Sequence, residues 1–507
     1  MKRRTRMPAG ARNAAAAIRG MATRGAAVRW VAAGLLLAQM AGCAVGPDFQ
    51  APPAALPAQW DTSKTAVTDE SPDAAWWQAF NDPTLDALLK RVAGANLEVQ
   101  VAAARLLQAR AALRVADANR LPDVNADASY RHARASANGL SDASKREGKA
   151  DYDLWQGGFD AAWEMDLWGR VRRQSEAAGA AAQASAELQR DVLLAALADT
   201  AQDYMSLRGV QTERAIVEQN LDIARHSQAL TQWRYDDGVA TGVDVAEAAA
   251  QVSTIEARLP NLDNRADRLI NALSQLLGLP PAGLADQLRA AAPIPTPPSV
   301  ARVGLPAELA RRRPDIRAAE ARLHQATASI GVAVADFYPR ITLSGDFGLQ
   351  ALQLNDLGDW GSRIFGIGPV LHVPLFDGGR LRGQLALSQA RQQEAMIDYQ
   401  RVVLRAWHEV ADALGDYGAL QRQREKLGAA VAQNQTALVQ ARRQYVAGAS
   451  DFINVLALQK DLLATQQSLA RSDTGMDLAL VRLFKALGGG WESSFPVAAV
   501  NADGDHS

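Results

Sequence analysis

The chain is almost without cysteine, and its few histidines are scattered. Its 507 residues include one cysteine, Cys43, and six histidines. A single thiol excludes an intramolecular disulfide framework and any cysteine-rich zinc site. The histidines lack metal-ligand spacing, and the sequence has no phosphate-binding loop, GxSxG elbow or GxGxxG fingerprint. We therefore expect that the chain is not an enzyme and uses no cofactor or metal.

Long apolar runs and a strong net charge are also missing. No segment of the mature chain approaches 18 uninterrupted apolar residues, which predicts that there is no transmembrane helix. The whole chain carries −1 and residues 1–42 carry +8, so residues 43–507 carry −9. Because phosphate contacts need clustered cations, we do not expect the chain to bind nucleic acid.

The chain begins with the features of a secretory signal. A basic stretch precedes a short apolar run from Trp30 to Gln39, which predicts a signal peptide over residues 1–42, with Met21 as an alternative start. The segment from Met40 to Cys43 resembles a bacterial lipobox, and the resemblance implies cleavage before Cys43 and lipid attachment to it. Ala44 then suggests sorting to the outer membrane. The alternative is a buried free cysteine.

The mature sequence repeats itself. ARLLQA at 104–109 corresponds to ARLHQA at 321–326, an offset of 217, and this offset continues to Pro122 and Pro339. After LWGRVRRQ (167–174) and LFDGGRLRGQ (375–384) the offset becomes 210, which relates Tyr235 to Tyr445 and Gly238 to Gly448. We call residues related in this way repeat counterparts. An ordered series of matches predicts a duplicated unit of helix, strand, strand, long helix, turn and helix.

The predicted helices are long and free of proline. Residues 170–237 and 380–447 contain none, and either stretch as one helix extends about 100 Å at 1.5 Å per residue. The second stretch carries a heptad series that includes Val403, Val410, Tyr417, Leu438 and Tyr445. Such a seam indicates coiled-coil packing against neighbouring helices, either in a larger assembly or in an isolated coiled-coil dimer.

Four stretches alternate between apolar and polar residues. They lie at about 122–131, 156–167, 339–350 and 364–376, and have the length and period of membrane β-strands with an apolar outer face. Half-buried hairpins on a soluble core are the alternative. In lipid the strands must close into a barrel, and four are too few, so the chain must oligomerise. Three copies give twelve strands.

The pattern predicts six regions in the chain. They are the signal peptide 1–42, a lipidated and equatorial segment 43–83, a first repeat 84–279 with long helix 170–237 and helix 243–278, an equatorial linker 280–313, a second repeat 314–487 with long helix 380–447 and helix 452–487, and a tail 488–507.

The order of these pieces resembles the outer-membrane factors of tripartite efflux systems, the TolC-like, NodT-type lipoproteins. The resemblance runs from VGPDFQAP (45–52) through ADFYPRITLSG (335–345) to LFKALGGGWE (483–492). It implies a mainly α homotrimer with a 12-stranded membrane β-barrel, a 12-helix periplasmic coiled-coil barrel and an equatorial collar. The collar comes from residues 44–83, the stretch 290–300 and the C-terminal tail.

The resemblance also implies partners and a function. Such channels sit in the lipids of the outer membrane and dock a periplasmic adaptor tied to an inner-membrane transporter of the RND type. They conduct drugs or other small molecules passively. A duct for a type I protein secretion machine is the alternative, and a trimeric adhesive coiled coil is a third hypothesis, which predicts neither strands nor duplication.

In the family the periplasmic tips are turns that here read RYDDGVATGVDV (234–245) and QYVAGASDFINV (444–455). Gly238 and Gly448 can supply the positive φ that ends a helix, and plain helix caps without a partner are the alternative reading. The resemblance implies adaptor contact at five tip residues: Gly238, Val239, Gly448, Ala449 and Ser450.

A periplasmic gate is implied just inside the tips. The residues at matching positions are Arg234 with Tyr235, and Tyr445 with Ile453. An acidic ring nearby could come from Asp451 or Asp244, and a gate sealed mainly by Ile453 is the alternative. The sequence departs from the family pattern at Gln444 and Ala457, which replace an arginine and an aspartate. Glu409, Asp412 and Asp416 share one helix face, as acid–base carboxylates or, as we expect, as a tunnel-lining face.

Overall fold

The computed structural model describes residues 44–53, 59–60, 67–71, 73–134, 136, 151–298, 300–492 and 494. The predicted lipid attachment site Cys43 and most of the first hairpin link lie outside these residues. The α-helices are α1 Pro83–Ala95, α2 Leu97–Ala118, α3 Arg170–Asp236, α4 Gly242–Glu256, α5 Leu259–Leu276, α6 Ala285–Leu288, α7 Leu309–Arg312, α8 Pro314–Ala335, α9 Arg380–Val446 and α10 Phe452–Ala486. The strands are β1 Val67–Thr68, β2 Asp123–Arg134, β3 Asp151–Met165, β4 Ala301–Arg302, β5 Arg340–Ala351 and β6 Arg363–His372.

The chain divides into two compact units. The first contains the described residues of 44–50, Ala111–Ala180 and His324–Gln393, and the second contains the described residues of Ala51–Arg110, Ala181–Leu323 and the part that begins at Glu394. No helix among the described residues is both long enough and apolar enough to cross a membrane.

The first unit is built on an antiparallel sheet in the order β2-β3-β5-β6. Residues directly opposite each other on neighbouring strands share a face. One face is apolar, with pairs such as Val124–Ala161, Phe159–Phe347, Trp163–Leu343 and Ile341–Leu371. The other face carries the row Asn125–Asp160–Asp346. The predicted alternation is therefore real in three dimensions, and β2 and β6 are the two edges of this sheet.

The strand bounds differ from the predicted ones by a few residues. The β2–β3 hairpin is longer, because pairing continues to Arg134 and Asp151. Strand β6 ends at His372 and not at 376, and Pro374, which has no N–H to donate, follows it closely.

The second unit is a packed set of long helices. The heptad seam of α9 is buried, with Val410, Tyr417, Leu438 and Tyr445 each in a hydrophobic cluster that also contains residues of α10. The repeat is visible in ion pairs as well. Arg214 Nε lies 2.7 Å from Asp263 Oδ1, and the counterparts Arg424 Nε and Asp473 Oδ1 lie 2.6 Å apart.

The prediction of one helix over 243–278 is wrong. The structure has α4 and α5 instead, separated at Ala257 and Arg258. Pro260 lies in the first turn of α5, where a missing N–H is tolerated, whereas within a continuous helix it removes a hydrogen bond. Its repeat counterpart is Ala470, and α10 runs unbroken through it.

Segments distant in sequence form the core of the second unit. Strand β1 pairs in parallel with β4, and Trp60 Nε1 donates to the Gly304 carbonyl at 3.1 Å. Trp76 stacks on Phe484, and Trp491 Nε1 donates to the Arg312 carbonyl at 3.2 Å. Residues 44–50 of the predicted lipidated and equatorial segment lie in the first unit, where the Val45 N–H donates to the Trp168 carbonyl.

Candidate functional site at the two helix turns

The turn after α3 has the geometry of a Schellman motif. Gly238 has a φ of +75°. The N–H of Val239 donates to the Arg234 carbonyl at 2.8 Å, and that of Gly238 donates to the Tyr235 carbonyl at 2.9 Å. These two bonds satisfy carbonyls that a helix end leaves free. The chain then enters α4 through a capping box, in which the Thr241 hydroxyl accepts from the Asp244 N–H and the Asp244 carboxylate accepts from the Thr241 N–H.

The turn after α9 repeats the first half of this geometry. Gly448 has a φ of +74°. The N–H of Ala449 donates to the Gln444 carbonyl at 2.8 Å, and that of Gly448 donates to the Tyr445 carbonyl at 3.0 Å. The second half differs, because Asp451 precedes α10 without a side-chain cap hydrogen bond. The first turn is therefore fixed at both ends and the second turn mainly at its glycine.

Arg234 and Tyr445 join the two turns. The guanidinium carbon of Arg234 lies 4.6 Å from the Tyr445 ring centroid, and Nη1 donates to the Val446 carbonyl at 3.3 Å. Tyr445 is buried and packs against Phe452, with ring centroids 5.3 Å apart. A guanidinium over an aromatic face is attractive, and more so where water is excluded. This contact holds the end of α3 against the end of α9.

The other predicted gate residues are placed differently. Asp244 is held in the cap of α4. Tyr235 and Ile453 are exposed, as are Asp451 and the predicted tip residue Val239. The structure thus brings Arg234 and Tyr445 together in one chain and leaves Tyr235 and Ile453 facing outward.

Sequence reasoning missed a second polar link below the turns. The Ser227 hydroxyl accepts from Gln459 Nε2 at 2.7 Å and from Arg442 Nη2 at 3.4 Å, which joins α3, α9 and α10. Burial lowers the pKa of the Arg442 guanidinium. The repeat counterparts of Ser227 and Gln459 are Ala437 and Ala249. The sequence signal for this link was that polar residues in one repeat correspond to alanine in the other.

Comparison with known proteins identifies the family. The family model described as outer membrane efflux protein matches residues 88–279 and 305–489. The chain belongs to this family. The two ranges overlap the two predicted repeats almost completely.

The alignments with similar proteins cover nearly the whole of this chain. The outer membrane protein OprJ of Pseudomonas aeruginosa is 33% identical over 468 residues, covering 91% of this chain and 96% of OprJ. The probable outer membrane lipoprotein SilC of Salmonella typhimurium is 29% identical over 459 residues, covering 89% of this chain and 96% of SilC. The solved structure of the outer-membrane channel OprN matches with a TM-score of 0.84 and 33% identity, and the match covers 89% of this chain and 100% of the OprN chain. The predicted family, TolC-like fold class and outer-membrane localisation are confirmed.

Glu409, one of the three carboxylates predicted to share a face of α9, lies among guanidinium groups. Arg313 Nη1 lies 2.7 Å from Glu409 Oε2, and Arg405 Nε lies 3.7 Å from Glu409 Oε1. Both contacts are ion pairs that hold Glu409 against neighbouring basic side chains. Within the described ranges, no cluster of three or more histidine, cysteine, aspartate or glutamate side chains could hold a metal ion.

Proposed function

We propose that this outer membrane efflux protein is the passive exit duct of a tripartite efflux system for drugs or other small molecules. The observation that carries the proposal is the two-faced sheet, whose edges β2 and β6 pair with no other strand among the described residues. In lipid an open edge leaves backbone groups without hydrogen bonds, so the sheet must continue into other copies. Three copies form a 12-stranded barrel and a 12-helix periplasmic barrel.

The proposed partners are those that the resemblance to efflux channels implies. The apolar sheet face contacts outer-membrane lipids, and lipid on Cys43 adds a second anchor. A periplasmic adaptor contacts the two turns at Gly238, Val239, Gly448, Ala449 and Ser450. The adaptor connects the duct to an inner-membrane transporter of the RND type, which supplies the energy.

The gate lies beside the turns. Arg234 on Tyr445 ties the two helix ends within each copy, and Tyr235, Asp244, Asp451 and Ile453 surround the opening between copies. Because Gly238 and Gly448 fix the reversals of the chain, adaptor contact there changes how the helix ends pack. Opening therefore requires the loss of the Arg234–Tyr445 contact or of contacts between copies.

Two measurements on the purified full chain in detergent test the proposal. Native mass spectrometry is expected to give a trimer, and planar bilayers are expected to show discrete single-channel steps. A trimer that never conducts, in wild type or in gate variants, contradicts the duct. Restored export of a dye when the chain is expressed with its adaptor and transporter supports the efflux role.

A further inference from the structure

Two surface grooves of the second unit are repeat counterparts. The first has a volume of about 510 Å³ and the second of about 460 Å³. The offset of 217 relates Asn96 and Glu98 of the first to Arg313 and Asp315 of the second. The offset of 210 relates further lining residues: Asp199, Gln202, Asp203, Ala272, Gln275 and Leu276 correspond to Glu409, Asp412, Ala413, Arg482, Lys485 and Ala486.

The second groove has a wall that the first groove lacks. Asp191, Leu194 and Ala195 of α3 line the second groove. Their counterparts on α9 are Arg401, Leu404 and Arg405, and none of these lines the first groove in the part of the chain that the structure describes. The side chain of Leu194 is 4% exposed, whereas Leu404 is 52% exposed. The same apolar position is therefore covered in one repeat and bare in the other.

The helix beside each groove shows the same difference. Helix α8 is covered on both sides, because Arg317 forms a 2.7 Å ion pair with Glu187 of α3 while Ile316 packs with Val403 of α9. On its counterpart α2, Val99 is buried in a cluster with Leu193 of α3. Val101, however, is 43% exposed, whereas its counterpart Ala318 is 1% exposed.

The repeat indicates which helix is missing from α2. Helix α8 packs against the long helix of its own repeat, α9, and against that of the other repeat, α3. If α2 packs in the same way as its counterpart α8, it contacts α3, the long helix of its own repeat, and also an α9 helix. Since α9 of the same chain already covers α8, the helix that covers α2 belongs to a second copy of the chain.

Charge supports this assignment. The first groove is acidic, with Glu98, Asp199 and Asp203, and Lys485 lies 3.2 Å from Asp199. Burial and the neighbouring Asp199 raise the pKa of the Asp203 carboxyl to about 6. The face of α9 around the exposed Leu404 presents Arg401 and Arg405, both mostly exposed, with Arg401 2.9 Å from Asp398 of the same helix and Arg405 3.7 Å from Asp315. Arginine on an exposed apolar face is suited to pairing with carboxylates across an interface.

We propose that the groove at Glu98, Asp199 and Asp203 is half of an intersubunit site that Arg401, Leu404 and Arg405 of a second copy complete. The two surfaces are different, so the contact is head-to-tail and repeats around a closed ring. The inference rests on the proposed trimer and adds the surfaces through which its copies meet.

Cross-linking tests the contact directly. The double variant Glu98→Cys/Arg401→Cys, treated with a short bis-maleimide in membranes, is expected to give dimer and trimer bands under denaturing conditions. Wild type and each single variant are expected to stay monomeric. The matched control is Asp315→Cys/Asp191→Cys, the repeat counterpart of the pair, which is expected to cross-link within one chain without a ladder.

The outcomes separate this inference from the trimer itself. If the protein is a native trimer but Glu98→Cys/Arg401→Cys gives no dimer or trimer bands, the intersubunit site is overturned and the proposed duct is not. A native monomer overturns both. A ladder from Asp315→Cys/Asp191→Cys overturns the assignment of the second groove to one chain, and with it the proposal.

A charge swap provides a second readout. Arg401→Glu places a carboxylate against Glu98 and Asp203, and we expect the monomer fraction after mild heating to rise about tenfold, since like charges across an interface are costly. Adding Glu98→Arg is expected to restore the trimer. Failure of the swap to restore it, with both variants folded by circular dichroism, contradicts the pairing.

Discussion

The guanidinium of Arg234 lies over the ring of Tyr445, 4.6 Å from its centroid, and these two residues are not repeat counterparts. Arg234 corresponds to Gln444, and Tyr445 corresponds to the half-exposed Tyr235. The contact therefore arises where the two repeats differ, and it joins the ends of α3 and α9 within one chain. If a second copy packs on α2 as proposed, we expect Gln444 to approach Tyr235 between copies, in a contact that lacks a cation.

We predict that Arg234→Ala makes the channel open more often. A cation–π contact in a partly buried place contributes about 1–2 kcal/mol, so its loss shifts the closed–open equilibrium by roughly 5–30-fold. The measurement is the open fraction in planar bilayers. Tyr445→Phe is the matched control, because it keeps the ring and removes a hydroxyl that has no hydrogen-bond partner within the described residues. Equal open fractions in Arg234→Ala and wild type contradict a role of the Arg234–Tyr445 contact in keeping the channel closed.

We predict that Gly448→Ala weakens adaptor binding without dissociating the trimer. The φ of +74° costs an L-residue about 1–2 kcal/mol, and a methyl group there meets no atom within 4 Å, so the effect comes from the backbone alone. The affinity of the purified adaptor for the trimer is the measurement.

Gly415→Ala is the control for that substitution. Gly415 lies inside α9, where an added methyl also meets nothing within 4 Å. Alanine there is expected to stabilise the helix by about 0.5–1 kcal/mol and to leave adaptor binding unchanged. Unchanged adaptor affinity in Gly448→Ala shows that the turn is not part of the docking surface.

We predict that Cys43→Ser abolishes lipid labelling and slows assembly, while trimers that do assemble still conduct. Several buried acyl chains hold firmly at about 0.8 kcal/mol per CH₂, but the strands of each copy already anchor the protein. Incorporation of radioactive palmitate and the rate of trimer appearance are the measurements. Persistent labelling of Cys43→Ser contradicts lipid attachment at this residue.

Much of the fold could be predicted because it depends on local patterns. The strict alternation around Phe159 and Leu343 fixed which face of each strand is apolar, and the pairing register places both on one face. The 3.5-residue period through Val410 and Tyr417 identified the buried side of α9. The break at Pro260 was missed because a proline ends a helix only if the chain can turn there, which depends on packing.

The candidate site was predictable only in part. Gly238 and Gly448 follow long proline-free runs, and a glycine after a helix indicates a left-handed cap. Which side chains meet across the turns depends on how α3 and α9 are rotated against each other, and sequence spacing does not give that angle. Tyr235 and Tyr445 therefore looked equivalent, although one is half-exposed and the other is buried.

The buried carboxyl of Asp477 in α10 makes stability depend on pH. The side chain is 0% exposed, and neither carboxyl oxygen has a hydrogen-bond partner within the described structure. Burial and the neighbouring Asp473 raise its pKa from 3.8 to about 8, against a smaller opposing effect of Arg424. Between these values the folded protein keeps a proton that the unfolded chain has lost. Folding stability therefore falls as pH rises through this window, by up to about 1.4 kcal/mol per pH unit.

We predict that Asp477→Asn removes this loss. The melting temperature of the helical signal, measured by circular dichroism, should match wild type near pH 4 and exceed it by a growing margin toward pH 8. Asp263→Asn is the control, because its carboxylate is 2.7 Å from Arg214 Nε in the repeat-counterpart ion pair, and its loss is expected to destabilise slightly over the same range. A gain in Asp477→Asn that is the same at every pH means that the carboxyl is not protonated in the folded protein, and that asparagine stabilises α10 through packing alone.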